Sequence, residues 1–490
     1  MGKKISIIGS GFSSLASACY LAKNGYEVTV YEKNSSLGGR ARQFSKKGFT
    51  FDMGPSWYWM PDVFDKFFND FGKETKDFYK LKKLNPAYKV YFGKNDSISI
   101  EDSLEKIKKV FESEEKGSAK KLEEFISNAK ENYAIAVTDL LYKMPGLSPL
   151  ELITKKTVLK AGSFLSNIRK EVRKRFKNKK LRSILEFPVL FLGAKASNTP
   201  AFYNFMNYAD FGLGTWQPEN GFYDVVQAMV DLGKSFGVKY LTNHEISSIN
   251  IKNSKVESLT INNSEFESDI VLSGADYAHT ETLLSSNYRQ YSNKYWSKKT
   301  WAPSSLLFYV GFDKKISDVA HHNLFFDTNF DDHAVDIYDK PKWPTDPLFY
   351  ANFTSKTNSK TAPKGCENGF FLIPLATNLE DNDEFREKYF NIIITRLEKL
   401  TNQKLKNNII FKESFCVNDF IKDYNSYGGN AYGLANTLFQ TAFLRPKIKS
   451  NKLKNLYFSG QLTVPGPGVP PAIVSGKLVS DLILKDEKVI

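Results

Sequence analysis

The segment from Lys4 to Arg42 constrains the fold more than any other part of the chain. It reads KISIIGSGFSSLASACYLAKNGYEVTVYEKNSSLGGRAR. A short apolar run around Ile7 predicts a buried parallel strand, a glycine turn follows, and the next apolar residues recur with helical spacing. Gly25 comes just after the last of these, where a glycine commonly ends a helix. The run Glu27–Tyr31 then predicts a second parallel strand.

This order of strand, turn, helix and strand is the βαβ fingerprint of dinucleotide-binding proteins. Gly9 allows the tight turn, and Gly11 lets the backbone approach a pyrophosphate. The start of the helix offers free N–H groups and a positive dipole end to the same anion. Glu32 lies 23 residues after Gly9, at the end of the second strand, and is placed to accept hydrogen bonds from a ribose. Ser14 takes the position of the third glycine of the motif, where a small side chain still permits helix–strand packing.

The residues that follow Glu32 favour FAD over NAD. The run Gly38–Arg40 combines flexible backbone with a planar guanidinium, which suits a multi-oxygen pyrophosphate. Near the C-terminus, a last strand at Leu456–Ser459 leads into a turn rich in glycine and proline, and then into a helix from about Pro470. Because ligands bind beyond the carboxyl ends of parallel strands, this turn is expected to complete the flavin site. The start of its helix suits the electron-rich end of a reduced isoalloxazine.

Composition restricts the remaining possibilities. With 490 residues the chain can bury a large core, and its net charge of +14 favours an acidic partner surface. The three cysteines and five histidines show no ligand spacing, so neither a disulfide framework nor a metal site is expected. There is no signal-peptide pattern and no apolar run of about 18 residues, the length that predicts a spanning helix. We therefore expect a cytoplasmic protein whose membrane contact is peripheral.

The segment Lys155–Arg182 is strongly basic. It contains twelve basic residues and a single acidic one, Glu171, and its apolar residues recur every three or four positions. This pattern predicts a basic amphipathic helix on an anionic membrane surface. The alternative is a solvated helix over a globular core, although such a face normally mixes both signs of charge. No recognised nucleic-acid module surrounds the segment, so nucleic acid is not expected as a partner.

An ordered set of motifs resembles the bacterial-type phytoene desaturases, the carotenoid desaturase branch of the amine-oxidase-like flavoprotein superfamily. The motifs are GSGFSS, GGRAR, FTFDMGPS, GLGTWQPENG, TAFLRP and NLYFSGQ with PGPGVPPAIVSGK, and they extend from Lys3 to about Leu484. Gln461 stands where family members often have Ala or Asp, and Pro471 where Gly is common. The resemblance implies an α/β fold with a Rossmann-like FAD-binding domain, a mixed-sheet substrate domain and a helical, membrane-contacting insertion.

These features divide the chain into expected domains and an expected cofactor site. The FAD-binding domain is expected at 1–75, 218–290 and 451–490, a substrate-domain hairpin at 76–100, the helical insertion at 101–217 and the substrate domain at 291–450. The strand near Ile246 should border the adenine, and the loop at Gly54 should pass close to the flavin. The expected FAD-binding residues are Gly9, Gly11, Phe12, Ser13, Ser14, Glu32, Lys33, Gly38, Gly39, Arg40, Gly54, Pro55, Ser56, Ile246, Gly460, Gln461, Gly468, Val469 and Pro470.

The resemblance also implies a reaction. Members of this family use FAD to remove hydrogen pairs from a long polyene, here phytoene to lycopene by successive hydride-plus-proton removals, with oxygen or a quinone reoxidising the flavin. Such a hydrocarbon has no polar handle, so its binding needs an apolar tunnel, at about 25 cal/mol per Å² buried. Trp57, Tyr58 and Trp59 are candidates for the tunnel wall, and local core is the alternative.

No motif identifies the base that accepts the proton. Glu151 is a candidate because it lies just ahead of the basic segment, but the run Ser148–Glu151 is also a capping box. Another carotenoid, hydroxylated or C30, is an alternative substrate, and an isomerase is an alternative enzyme. Outside enzymes, prenyl-protein chaperones of the GDI type share the GxGxxG fold without flavin catalysis. Glu32 and the C-terminal flavin loop argue against that alternative.

Overall fold

A computed structural model describes residues 2–489 of the chain as an alternation of strands and helices. The strands are β1 (Lys4–Ile8), β2 (Glu27–Tyr31), β3 (Gln43–Lys46), β4 (Phe49–Asp52), β5 (Leu81–Lys83), β6 (Tyr88–Gly93), β7 (Asp96–Ile100), β8 (Trp216–Pro218), β9 (Lys239–Leu241), β10 (Ile246–Lys252), β11 (Lys255–Ile261), β12 (Ser264–Glu267), β13 (Ile270–Ser273), β14 (Ser304–Phe312), β15 (His322–Phe325), β16 (Phe349–Asn352), β17 (Glu367–Leu375), β18 (Ile409–Phe415) and β19 (Leu456–Phe458). The α-helices are α1 (Phe12–Lys23), α2 (Pro61–Asn69), α3 (Leu104–Glu114), α4 (Ser118–Ala134), α5 (Lys155–Leu159), α6 (Ala161–Leu165), α7 (Ile168–Arg175), α8 (Lys179–Glu186), α9 (Phe205–Phe211), α10 (Tyr223–Ser235), α11 (Tyr277–Thr282), α12 (Asn293–Ser297), α13 (Phe330–Tyr338), α14 (Asp383–Thr401), α15 (Val417–Tyr424) and α16 (Val469–Asp486).

A five-stranded parallel sheet carries the N-terminal βαβ unit. Its order is β19-β13-β1-β2-β9, and every neighbouring pair runs parallel. The predicted strands and the predicted helix of the βαβ unit are confirmed, with α1 ending at Lys23 and Gly25 following in the left-handed region at φ +86°. Parallel strands place their carboxyl ends at one edge, so the turns after β1, β2, β13 and β19 meet there.

Ser14 packs where the motif normally has its third glycine. Its hydroxyl is buried and faces Gly274, directly after β13, so closely that a Cβ at Gly274 would overlap the Ser14 side chain. The space that a glycine usually provides on the helix is therefore provided by a glycine on the facing strand. This pairing explains why a serine is accommodated at this point.

Helix α1 is buried on nearly all sides, as a helix enclosed by other elements must be. It contacts both α10 and α16. A Cβ at Gly476 of α16 would lie 2.5 Å from the Ser13 carbonyl oxygen and 2.7 Å from the Ala16 Cβ. The two helices therefore cross at a glycine, and this contact sets the position of one helix start relative to the other.

A seven-stranded mixed sheet forms the second layer of the molecule. Its order is β18-β14-β17-β16-β15-β6-β7, and the predicted hairpin β6–β7 joins it through a parallel pairing of β6 with β15. Side chains alternate between its faces. On β14, Leu306 and Phe308 pack with helix α14, whereas Leu307 and Tyr309 face the other side. The sheet thus has one face covered by a helix and one that faces the interior between the domains.

The basic segment does not form the single amphipathic helix that its periodicity predicted. It folds into the four short helices α5 to α8. The side chains of Asn167 and Asn178 cap the starts of α7 and α8, so these residues interrupt the helical run. Ile168, Val172 and Phe176 are fully buried in the core of the insertion. The prediction of one surface-lying helix at this position was therefore wrong.

Acidic residues from distant parts of the sequence neutralise much of this segment. Arg169 and Arg173 both pair with the buried Glu186 and with Asp331 of helix α13. Further pairs join Lys160 to Glu131, Arg175 to Glu171 and Lys180 to Asp96. These pairs involve five of the twelve basic residues, so they reduce the excess of positive charge without removing it. None of the helices within residues 2–489 has the length and apolar character that spanning a bilayer requires.

Replacing Gly476 by alanine should destabilise the fold by about 1–3 kcal/mol, because the added methyl group meets backbone atoms of α1. Gly162 of α6 is a matched control: it is also helical, but a Cβ there has no neighbour within 4 Å. Gly162→Ala should stabilise the helix by about 0.5–1 kcal/mol. Thermal unfolding of the two variants checks the pair, and equal shifts in melting temperature would contradict the packing described here.

Candidate functional site

One continuous cavity, with a volume of about 800 Å³, runs from the carboxyl edge of the parallel sheet to the inner face of the mixed sheet. At one end it is lined by the turns that follow β1, β2, β13 and β19, and we call this the nucleotide end. Beyond it the cavity continues as an apolar arm between the mixed sheet and the helical insertion. Cavities of this size at the carboxyl edge of a parallel sheet are typical ligand sites.

The turn after β1 is built to bring an anion close to the backbone. Gly9 adopts φ +83°, and its N–H donates to the Tyr31 carbonyl oxygen at 2.8 Å. Gly11 begins α1 with no side-chain cap, so the first N–H groups of the helix stay available. A Cβ built on Gly11 would meet no protein atom within 4 Å. The turn therefore leaves open space directly in front of a helix N-terminus.

Glu32 is buried at the end of β2 and lines the cavity. One carboxylate oxygen accepts from the Ser10 N–H at 3.0 Å and from the Ser10 hydroxyl at 2.6 Å. The other accepts from the Asn34 N–H and the Asn34 side-chain amide, both at 2.9 Å. The neighbouring Lys33 is held by the Asn425 side chain at 2.9 Å. These four bonds fix the carboxylate at the cavity wall, so a ribose hydroxyl that donates to it would take the place of one of these donors.

Arg40 presents an incompletely paired guanidinium to the nucleotide end. Its Nη2 donates to the Asn430 carbonyl oxygen at 3.1 Å, and its Cζ atom lies 5.0 Å from the centre of the Tyr424 ring. The buried Nε has no hydrogen-bond partner among the described residues. Burial lowers the pKa of Arg40, because it disfavours the charged form, and the buried Asp276 opposes this shift. An anion in the cavity would compensate this group.

The remaining predicted cofactor residues gather around the same end. Gly54 packs so closely on the Arg40 backbone that a Cβ would lie 2.5 Å from the Arg40 carbonyl oxygen. Gly468, at φ +113°, precedes α16, which likewise begins without a side-chain cap. The predicted residues that line the cavity are Gly9, Gly11, Phe12, Ser13, Glu32, Lys33, Gly38, Gly39, Arg40, Gly54, Pro55, Ser56, Ile246, Gly460, Gln461, Gly468, Val469 and Pro470. Ser14 is the exception, since it packs behind the wall.

The apolar arm is lined by aromatic and aliphatic side chains. Its floor is the inner face of the mixed sheet, formed by alternate residues of the central strands. Trp57 and Trp59 belong to its wall, as predicted, whereas Tyr58 is completely buried in the core and bonds to Tyr79 at 2.9 Å. Phe439 and Leu444 line the arm and are also exposed, by 79% and 39%, so the arm reaches the surface between them.

Glu151 lies outside this cavity lining. Its carboxylate accepts backbone N–H bonds from Gly146 and Leu147 at 2.9 Å and from Ser148 at 3.1 Å. This is the capping-box geometry, and it occupies both carboxylate oxygens. The geometry therefore does not favour Glu151 as a base, and its catalytic role stays a prediction.

Sequence reasoning missed several polar residues of the cavity wall. Asp276 lies after β13, caps α11 and lines the nucleotide end, where burial raises the pKa of its carboxyl. Tyr350 lines the arm from β16 and contacts His322 of β15. Asp276 could have been predicted from the sequence, because it comes shortly after the apolar run that forms β13. No local pattern could have signalled the other two, because only the pairing of distant strands brings them together.

The nucleotide end fits FAD on three independent features of the chain. The available N–H groups and the unpaired Arg40 Nε suit a pyrophosphate. The space in front of Gly11 admits a close approach of that group. Glu32 and Ile246 offer a carboxylate and an apolar border for an adenosine.

Comparison with known proteins agrees with this site. The family described as flavin containing amine oxidoreductase matches residues 12–484. A carotenoid 3,4-desaturase from Haloarcula japonica is 38% identical over 490 residues, covering 99% of both chains. A 4,4'-diapophytoene desaturase (4,4'-diaponeurosporene-forming) from Staphylococcus haemolyticus is 31% identical, covering 98% of this chain and 99% of the relative. Cyclohexylamine oxidase from Brevibacterium oxydans shares the fold, with a TM-score of 0.60, 12% identity and complete coverage of both chains.

Gly11→Ala should reduce the flavin content of the purified protein without lowering its thermal stability in the flavin-free form. The added methyl group meets no protein atom, so it can only obstruct what approaches the turn. Absorbance of bound flavin and thermal unfolding of flavin-free protein measure the two effects separately. Unchanged flavin occupancy, or an equal loss of stability in the flavin-free form, would contradict the assignment of this turn to the cofactor.

Proposed function

Because this chain belongs to the flavin containing amine oxidoreductase family, in its carotenoid desaturase branch, we propose that it converts phytoene to lycopene by successive two-hydrogen removals. FAD is its cofactor. The family match and the desaturase relatives support an enzyme and not a prenyl-protein chaperone. Two carbon–hydrogen bonds on adjacent carbons are broken in each round, and one double bond is formed.

The observation that carries this proposal is the continuity of the cavity. The nucleotide end, with its charged and backbone donors, opens directly into the apolar arm. Bound FAD supplies a two-electron acceptor for a hydride. The arm's side chains would hold a hydrocarbon by burying its surface, at about 25 cal/mol per Å². They would also exclude water from the reacting carbons, so a substrate without polar groups can be positioned by shape alone.

The same geometry supports a role for nine of the predicted residues in holding FAD. The turn at Gly9 and Gly11 and the starts of the two helices would receive the pyrophosphate and the ring. Glu32 would accept from the ribose, Ile246 would border the adenine, and Arg40 would pair with phosphate. The loop with Gly54, Pro55 and Ser56 would pass beside the ring system, and Gln461 would lie on its other side.

We further propose that the protein docks on an anionic membrane, where such a hydrocarbon is dissolved. Six large apolar side chains between residues 147 and 165 are exposed, among them Leu159 at 84% and Leu165 at 87%. Leu165 adjoins Phe164, which lines the arm. A Cβ on Gly146 would lie 3.5 Å from the Ala442 carbonyl oxygen, and the Lys447 side chain donates to the Gly146 carbonyl oxygen, so this part of the chain lies near Phe439 and Leu444. We call Leu147, Leu150, Ile153, Val158, Leu159, Leu165, Phe439 and Leu444 the mouth surface.

An exposed apolar surface of this kind favours insertion over purely electrostatic attachment. Exposed basic residues such as Lys155 and Lys170 adjoin it and suit an anionic lipid headgroup. In this proposal the protein is cytoplasmic and peripheral to the membrane, and oxygen or a membrane quinone reoxidises the flavin. The segment Lys155–Arg182 thus contributes both charge and apolar contact.

A second candidate function rests on the Haloarcula japonica relative, whose identity of 38% exceeds the 31% of the diapophytoene desaturase. It would introduce a 3,4 double bond into a later carotenoid, with the same cavity and cofactor. C30 precursors are a further option within the same chemistry. Product analysis separates these substrates.

Expression in a phytoene-accumulating bacterium should yield lycopene, read as pigment by chromatography, while the empty vector leaves phytoene. The Gly11→Ala variant is a control for dependence on the cofactor. Colourless extracts that contain only phytoene, although the protein is loaded with flavin, would contradict the assignment of phytoene as the substrate. If the protein instead converts a later carotenoid in the same host background, that result would favour the 3,4-desaturase alternative.

Leu159→Glu combined with Leu165→Glu should abolish most binding to liposomes that contain anionic lipid. Burying a leucine side chain contributes about 1.5–3 kcal/mol, so each loss weakens binding about tenfold or more. Ile410→Glu is the control, since Ile410 is also exposed but lies on β18 outside the cavity lining. Co-sedimentation measures binding. If the double variant sediments like the control, the mouth surface is not the docking site.

A further inference from the structure

A buried polar cluster interrupts the apolar wall of the cavity. Tyr350 and Ser56 both line the cavity and are joined by a hydrogen bond of 2.9 Å between their hydroxyl oxygens. Ser56 follows Gly54, which packs on the Arg40 backbone. The Tyr350 hydroxyl therefore lies where the nucleotide end passes into the apolar arm, beside the position that the proposed reaction requires.

His322 stands directly behind this hydroxyl. The Tyr350 hydroxyl oxygen lies 2.6 Å from His322 Nδ1, and the Asn352 side-chain amide nitrogen lies 3.1 Å from the same atom. Because an amide nitrogen can only donate, Nδ1 is assigned as the acceptor, and the Tyr350 hydroxyl then donates to it as well. Since Tyr350 has a single hydroxyl hydrogen, the Ser56 hydroxyl donates to the tyrosine oxygen. Two donors at Nδ1 also mean that this nitrogen is unprotonated and that Nε2 carries the hydrogen of the neutral ring.

The surrounding structure holds the imidazole in one orientation. His322 pairs in register with Asn352 across β15 and β16, and the Trp57 ring stacks on it at 4.2 Å with an interplanar angle of 10°. The side chain of His322 is completely buried. Burial and the neighbouring His321 lower the pKa of His322 well below its usual range, so the ring is neutral at physiological pH.

We propose, on the basis of the proposed desaturation, that the Tyr350 hydroxyl and His322 Nδ1 together receive the proton that leaves the substrate with each new double bond. The carbon–hydrogen bond breaks and leaves its electron pair in the new carbon–carbon double bond. Its proton passes to the Tyr350 oxygen, while the tyrosine proton passes to His322 Nδ1. The hydrogen on the adjacent carbon leaves with two electrons as hydride, and oxidised flavin is the acceptor that balances the reaction.

A neutral imidazole suits this task although its pKa is low. Once a hydride has left, a hydrogen on the carbon next to an allylic cation is strongly acidic, so a weak base suffices. A neutral group also adds no charge to an apolar cavity before the reaction, whereas a carboxylate would need a partner. The relay explains why a polar cluster is kept in a wall that binds a hydrocarbon.

A second buried histidine lies next to the cluster. The ring of His321 lies edge-on to His322, with 4.4 Å between their centres. His321 Nδ1 is 2.7 Å from the Thr357 hydroxyl, which lines a second, polar cavity of about 10 Å³. Within the described residues, Nε2 of each histidine has no hydrogen-bond partner. Ring contact with His321, and the bond between His321 and Thr357, thus link His322 to a small pocket lined by polar side chains.

The first test compares turnover of flavin-loaded variants in lipid vesicles that contain the carotenoid. Tyr350→Phe and His322→Gln should each lower turnover by about 10²–10⁴-fold, the range for general acid–base catalysis, with unchanged flavin content. Tyr389→Phe is the matched control and should keep full turnover, because its hydroxyl bonds to Pro344 on the α14 side of the same sheet. The solvent deuterium isotope effect of the wild type should change in Tyr350→Phe.

The second test needs neither flavin nor turnover. Nitrogen NMR of protein with labelled histidines resolves only five side chains, and His322→Gln identifies the resonances of His322. We expect an unprotonated Nδ1 that shifts in Tyr350→Phe and stays in Tyr389→Phe. A protonated Nδ1 would overturn the relay, because the tyrosine could not then donate to it.

Different results would contradict the proposed desaturation and the proton relay. A wild type that converts none of the carotenoids offered would overturn the proposed function and the relay together. An active wild type with a Tyr350→Phe variant within about threefold of its turnover, and with the same isotope effect, would overturn the relay alone. His322→Gln can disturb the fold, so its melting temperature is compared with that of Tyr350→Phe, which removes a single atom.

Discussion

The close crossing of helices α1 and α16 is the contact on which the rest of the site depends. Gly476 brings the two helices together against the backbone of α1, and both helices begin without a side-chain cap at the same end of the cavity. The packing of the two helices therefore sets where α1 presents the N–H groups of its first turn to the cavity. The first turn of α16 contributes fewer, because Pro470 and Pro471 carry no N–H and the Ala472 N–H donates to the Gly468 carbonyl oxygen. The charged end of the cavity is thus positioned by the apolar core beneath it, and the glycine turns only complete it.

The cavity joins a polar, charged end to an apolar arm. At one end, hydrogen bonds hold the Glu32 carboxylate, whereas the Arg40 guanidinium is left partly unpaired. This end therefore favours a charged ligand. At the other, the inner face of the mixed sheet provides a floor with few polar atoms. Ser56 and Tyr350 lie at the boundary between these ends. A polar group at this boundary can act on a substrate carbon without lowering the affinity of the arm for hydrocarbon.

Local sequence patterns predicted the βαβ unit of the parallel sheet and the hairpin β6–β7, and the family resemblance added further residues that line the nucleotide end, such as Gly54 and Ile246. The βαβ unit and the hairpin depend on residues close together in the chain, where glycine placement and the period of apolar residues are decisive. The basic segment was misread because its periodicity was followed across Asn167 and Asn178, which cap new helices. Its charge was also misjudged, since Glu186 and Asp331 compensate it from other elements. The contact of Tyr350 with His322 depends on strands paired across the substrate domain, which no local pattern contains.

The pairing of Ser14 with Gly274 has a consequence for how the motif itself is understood. The physical requirement is one small gap between helix α1 and the residue that follows β13, and either side can supply it. The two positions, some 260 residues apart in the chain, therefore form one steric unit. A larger side chain at one position requires a smaller one at the other, so the two sizes should vary together during divergence. A search pattern that demands the third glycine passes over chains of this kind, although they meet the spatial requirement in full.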